Sequence, residues 1–159
     1  MNNKRIILVG SGGHAKVVFN TLVVNNFEVD EIFDPKVNNY TLFSGITKRT
    51  DDNLLFTYDP LKCNLYLGIG DNPPKKRKDF FSLAQDKGFE FPPLFHPRAI
   101  ISDDLSFADG LQVMAGSVIQ PNCSIGKNSI INTSSIGVKF GGGAKTFSYS
   151  ISKHLNEFM

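Results

Sequence analysis

From Ile101 to Ile131 an apolar side chain returns at every sixth position: Ile101, Phe107, Val113, Ile119, Ile125 and Ile131. Four residues beyond each stands a mostly small partner: Leu105, Leu111, Ser117, Cys123, Ser129 and Ser135. Helices repeat about every 3.6 residues and strands every two, so neither accounts for a period of six. A parallel β-helix of triangular section does, because each side takes one hexapeptide and the aliphatic residue fills the interior. Short strands of an ordinary β domain explain a single match but not six in register. Six hexapeptides make two triangular coils. The next frame positions, Gly137, Gly143 and Tyr149, bring no aliphatic filler. Residues 137–159 therefore read as an atypical tail: a glycine turn, a polar stretch and a short helix near Ser152 to Phe158. A solenoid generally needs about three repeats plus a cap, and an open end exposes strand edges. The expectation is a β-helix that is marginally ordered or held by self-association.

Residues 1–95 follow a different rhythm. Ile6 to Val9 is a buried-strand run, and Ala15, Val18, Phe19 and Leu22 give His14 to Asn25 a helical spacing. Val29 to Phe33 reads as a second strand, stopped at Asp34-Pro35, where proline disfavours helix before it and supplies no ladder donor. Asn39 to Leu55 is ambiguous, a loop with a short strand or turn. Leu65 to Ile69 is a third strand, ending in Gly70-Asp71-Asn72. Pro74 suits the first turn of a helix running to about Lys87, with Gly88 as its stop. Phe91 to Phe95 is expected as the next strand. Strands alternating with helices at this size predict a small parallel α/β domain, followed by the β-helix over residues 96–136.

Composition narrows the function classes. The chain has 159 residues, 41% hydrophobic and 20% charged, which reads as soluble and globular. No run approaches the ~18 apolar residues of a membrane span, and the amino terminus lacks a signal-peptide profile. Cys63 and Cys123 form no metal-like spacing with each other or with the three histidines. They read as free thiols of a reducing compartment, the cytoplasm. A net charge of +2 is too small to argue for nucleic acid. The cluster Lys75-Lys76-Arg77-Lys78 is most simply a solvated helix face.

The chemistry-bearing stretch is Gly10-Ser11-Gly12-Gly13-His14-Ala15, a G-x-G-x-x-A match between a strand and a helix. Glycines admit positive φ and close backbone approach, and free N–H groups at a helix start attract phosphate or another anionic oxygen. Asp34 closes the second strand, about where a dinucleotide-binding acid meets a ribose hydroxyl. The same glycines also suit a tight βα turn with no ligand. A full dinucleotide fold needs a second half for which the chain has no room, so a mononucleotide-linked ligand fits better than NAD(P). His14 follows the loop, where the helix dipole disfavours a cation, and its imidazole either faces a sugar substituent or packs beside the loop. Gly70, Asp71 and Asn72, ending the neighbouring strand, border the same crevice.

"ILVGSGGHAKVV", "FDP", "LGIGDN" with Arg77 after it, "HPRAIIS" and "INTSSI" together resemble the sialic acid O-acetyltransferase family of NeuD/PglD type, over roughly Lys4 to Ile136. The resemblance implies a Rossmann-like domain that binds a nucleotide sugar, UDP-linked in bacillosamine-type pathways. It also implies a left-handed β-helix that forms a homotrimer, and acetyl-CoA bound between neighbouring β-helices. By position, Gly12, Gly13 and His14 would bind substrate, with Gly10 and Ser11 in the same loop. Asp34 and Pro35 would lie near the nucleotide and Gly70 would line the sugar pocket, with Asp71, Asn72 and Arg77 also among the substrate-binding residues.

The chain departs from that pattern after "NTSS". The family places a catalytic His and a flanking acid there; Lys139 and Val138 hold those positions here. A lysine of ordinary pKa is protonated at neutral pH and takes no proton without strong desolvation. His154 lies outside the repeat, and His96 belongs to the junction between the halves. The expectation is a chain cut short or altered after Ile136, with acetyl transfer impaired or absent. A non-catalytic UDP-sugar-binding module and an NAD(P)-binding domain stand as alternatives.

Overall fold

The computed structural model describes residues 4–36, 40–70 and 75–133. Strand β1 (Arg5–Val9) leads through the glycine loop into helix α1 (Gly13–Val24), which returns to β2 (Glu31–Phe33). The segment left ambiguous by its sequence contains a 3-10 turn at Thr41–Phe43, strand β3 (Thr47–Arg49) and the four-residue helix α2 (Asp52–Leu55). Strand β4 (Cys63–Leu67) and helix α3 (Lys76–Asp86) follow, and Gly88 at φ +86° ends that helix as its position predicts. The four strands form one parallel sheet in the order β3-β2-β1-β4. Such sheets are buried on both faces, and alternate residues of β1 serve opposite layers. Ile7 and Val9 join Phe33, Leu65, Leu67 and Phe81 on one side; Leu8 joins Ala15, Val18, Leu22, Ile32 and Tyr66 on the other.

The strand expected across Phe91–Phe95 is displaced. Only Leu94–Phe95 (β5) is extended, and it pairs with the coil rather than the sheet; the sheet edge takes one isolated bridge, Asn64 to Glu90. The physical reason is the six-residue frame itself: Phe95 stands one step before Ile101 and packs with the coil interior beside Val113, Ile119 and Leu111.

Six further two-residue strands complete the coil: β6 (Ile100–Ile101), β7 (Ser106–Phe107), β8 (Gln112–Val113), β9 (Val118–Ile119), β10 (Ser124–Ile125) and β11 (Ile130–Ile131). They stack in parallel as three faces, β5-β8-β11, β6-β9 and β7-β10. Partners such as Ile101 and Ile119 lie three hexapeptides apart, one full turn. Corners recur at Gly110, Gly116, Asn122 and Asn128, all in the left-handed backbone region with φ from +58° to +75°. Glycine and asparagine are the residues that enter that region at least cost. The architecture is thus the expected one, a Rossmann-like parallel sheet followed by a short left-handed parallel β-helix.

The coil docks on α1. Leu94 and Met114 pack into the α1 layer, and Asn25 Nδ2 donates to Phe95 O at 3.0 Å. His96 is nearly buried and its Nδ1 accepts from Arg98 N at 3.0 Å, a junction role. Among the described residues no helix is long and apolar enough to cross a membrane.

Candidate functional site

The glycines of the loop divide into two kinds. Gly10 adopts φ +102°, and a Cβ there would lie 3.0–3.1 Å from the backbone of Gly68 and Ile69. A Cβ on Gly68 would lie 2.6 Å from Ala15 Cβ. These two glycines are demanded by the fold, since they let β1, β4 and α1 converge. Gly12 and Gly13 are not. Gly12 caps α1 at φ −81° and ψ −163°, a conformation open to any residue, and a Cβ on either glycine meets nothing within 4 Å. Among the described residues neither crowding nor backbone strain asks for glycine there.

That open space faces the start of α1. Amide N–H groups of a first helical turn have no acceptor within the helix. Here Gly12 provides no side-chain cap and the first turn carries no acidic residue. Among the described residues no side chain caps this turn, so backbone donors and the positive end of the helix dipole form an arrangement suited to an anionic oxygen.

The other expected residues surround this approach in different capacities. Ser11 is fully buried; its N–H and hydroxyl both donate to Asp34 Oδ2, at 2.7 and 2.8 Å. Asp34 Oδ1 accepts from Lys36 N at 2.9 Å. The Asp34 carboxylate thus braces the loop from β2. Pro35 lies beside it, lining a small recess with Val9, Gly10, Phe33, Ile69, Asp52 and Lys76. Gly70 sits against His14, where a Cβ would come within 3.9 Å of His14 Cβ. Arg77 is buried beneath β4, with Nη1 donating to Leu67 O at 2.9 Å and Ile69 O at 3.0 Å. It holds the strand end from which Gly70 departs. Asp71, Asn72, Lys139, Val138 and His154 lie outside the described residues.

Asp52 is a site neighbour that the sequence reading missed. Burial raises its pKa above the ordinary carboxylate value, opposed by Lys76 and reinforced by Asp34 and Asp51. Its Oδ1 is buried without a hydrogen-bond partner. The available signal was Thr50-Asp51-Asp52-Asn53, a helix-start pattern in which Asp51 accepts from Asn53 N at 2.9 Å. A larger cavity of about 420 Å³, lined by Lys4, Arg5, Asp30, Tyr58, Asp59, Lys62 and Cys63, opens at the other end of β1 and β4. Ligands of open α/β sheets bind beyond the carboxyl ends of the strands. The glycine loop occupies that end; this cavity does not.

Residues 5–81 match the family model described as the PglD N-terminal domain. PerB from Caulobacter crescentus, solved in complex with CoA and GDP-perosamine, is similar at a TM-score of 0.68 and 33% identity, over 81% of this chain and 60% of PerB. The acetyltransferase domain of PglB from Neisseria gonorrhoeae FA1090, solved with acetyl coenzyme A, gives a TM-score of 0.71 and 27% identity, over 82% of this chain and 62% of that one. The chain thus spans about 60% of the length of these relatives. Among curated proteins no sequence matches. Family model, fold and solved relatives agree: residues 5–81 form a PglD N-terminal domain, and the chain is similar to acetyltransferases of NeuD/PglD type.

Proposed function

We propose that the chain binds a nucleotide-activated sugar, with the diphosphate against the first-turn amides of α1 at Gly12, Gly13 and His14. The observation that carries this reading is the pair of glycines that nothing among the described residues requires. Amides at a helix start hold phosphate oxygens without a cationic side chain, and a Cβ at either glycine would stand in the approach. PerB's bound GDP-perosamine supports the ligand class. UDP is the nucleotide expected from the sequence, and the two are separated by calorimetry with UDP-sugar, GDP-sugar and NAD in parallel. Saturable binding of a sugar nucleotide but not NAD supports the reading; saturation by NAD alone overturns it.

The reaction class is acetyl transfer from acetyl-CoA to an amine or hydroxyl of that sugar. CoA and acetyl-CoA in the solved relatives support it. The attacking group must lose a proton as it adds to the thioester carbonyl, which requires a base. Lys139, at the family's His position, is a poor one at neutral pH, so we expect this chain to bind substrate and turn it over weakly. Thiol release with an amino-sugar nucleotide tests that step. The homotrimer is proposed through the β-helix, where Ile100 and Val118, partners across β6 and β9, are both exposed.

A further inference from the structure

Asp34 follows the last residue of β2, where nucleotide-binding α/β sheets place the acid that meets a ribose hydroxyl. In this chain that carboxylate is engaged in bracing the loop. Its Oδ2 accepts from the Ser11 N–H and hydroxyl at 2.7 and 2.8 Å, and its Oδ1 from Lys36 N at 2.9 Å. Three of the roughly four lone-pair positions of a carboxylate are thereby taken. Asp52 is in the opposite condition. It opens α2 and lines the same recess as Gly10, Asp34 and Pro35. Its Oδ1 is buried and accepts no hydrogen bond. Capping does not occupy it, since Asp51 caps α2 through Asn53 N at 2.9 Å. A carboxylate oxygen taken out of water without a donor is costly, and such an atom calls for a physical explanation. The recess supplies one. It encloses about 10 Å³ of free space, near that of one water-sized group, with Phe33 and Ile69 as apolar walls. A hydroxyl fits there and a ring does not. Two carboxylates on its wall repel a phosphate. Lys76, on the first turn of α3, favours the charged form of Asp52 and so keeps it an acceptor.

We propose that Asp52 is a specificity-determining residue of the nucleotide site: its Oδ1 accepts a hydrogen bond from a ribose hydroxyl of the bound sugar nucleotide, the contact expected of Asp34. Phosphates at the start of α1 leave the adjoining ribose on the β2 side, where the recess lies. The inference rests on the nucleotide-sugar reading and adds to it a contact that tells ribose from deoxyribose. The carboxylate is then a group that the free chain carries unsatisfied and the ligand completes.

The test is calorimetry of the full chain with UDP- and GDP-sugars and with their 2′,3′-dideoxy counterparts. The wild type should bind the ribose form at least about tenfold tighter, the worth of a hydrogen bond to a charged group. Asp52→Leu, similar in size and without an acceptor, should bind both forms alike. Asp52→Asn keeps one neutral acceptor and should retain a preference of about threefold. A role in packing alone would change the affinity for both forms equally and leave their ratio intact. A ratio in Asp52→Leu equal to that of the wild type overturns the proposal. So does equal wild-type affinity for the two forms, which would show that solvent serves Oδ1. If Asp52→Leu does not fold, the ratio in Asp52→Asn decides, and an undiminished one is the contrary result. A wild type that binds no nucleotide sugar removes the nucleotide-sugar reading and this inference together, whereas binding without a ribose preference removes this inference alone.

Discussion

Gly13→Val separates a glycine kept for a ligand from one kept for the fold. A Cβ at Gly13 meets no atom of the described residues within 4 Å, and its backbone lies outside the left-handed region, so the variant should fold as well as the parent. Gly13 is the first residue of α1, and glycine is a poorer helix former than valine, so any stability change should be small and favourable, less than about 1 kcal/mol. Binding should respond in the opposite direction. The new side chain occupies the approach to the first-turn amides. Losing one hydrogen bond to a charged group costs about 1.5–3 kcal/mol, or about 10- to 150-fold in Kd. Thermal denaturation and calorimetry with a nucleotide sugar read the two effects independently. Unchanged affinity would show that the ligand does not meet this turn. A fall of several degrees in Tm would show that Gly13 serves the fold, and the reasoning from empty space would fail.

Gly68→Ala should behave in reverse, destabilising by about 1–3 kcal/mol through overpacking because its Cβ would meet Ala15 Cβ at 2.6 Å. Ala15→Gly should recover part of that loss, and additivity of the two changes in urea melts would contradict the contact. Asp52→Asn should stabilise the protein at neutral pH, because burial holds the carboxyl's folded pKa above its ordinary value. With a raised folded pKa, the stability Asp52 contributes is complete below its unfolded value and declines as pH rises through the folded one. The advantage of the variant should therefore shrink as pH falls toward 3.8, and a pH-independent gain in Tm would contradict it. Acetyl transfer to UDP- and GDP-linked amino sugars should run near background, since a general base is worth about 10²–10⁴ in rate. Turnover near the common enzymatic value of ~10 s⁻¹ would contradict the reading of Lys139.

The coil was legible because one physical demand, an aliphatic residue for each side of a triangle, repeats at Ile101, Val113, Ile119 and Ile131. The corner residues Gly110, Gly116, Asn122 and Asn128 repeat at the same spacing and were an unused second signal. Read together with them, the frame reaches back to Phe95 and explains why β5 belongs to the coil. The glycine loop was legible as a loop, yet its division into glycines that the fold demands and glycines that it does not was not. That division depends on Gly68 and Ala15, which come from other elements. Asp34 was placed correctly at the end of β2, but its carboxylate turns inward to Ser11, a tertiary contact with no sequence period. A helix as short as α2 spans little more than one turn, so Asp52 left no periodic trace. Gln112 reads in sequence as one more coil position; only folding brings it to His14.

The backbone N–H resonances of Gly12, Gly13 and His14, followed as a UDP- or GDP-sugar is titrated into the full chain, test the central claim most directly. They should shift downfield and saturate together, as amides do on donating to an anionic oxygen, while NAD leaves them in place. If those three stay fixed while Lys4, Arg5 and Lys62 around the opposite cavity respond, the sugar nucleotide binds elsewhere and the account is wrong.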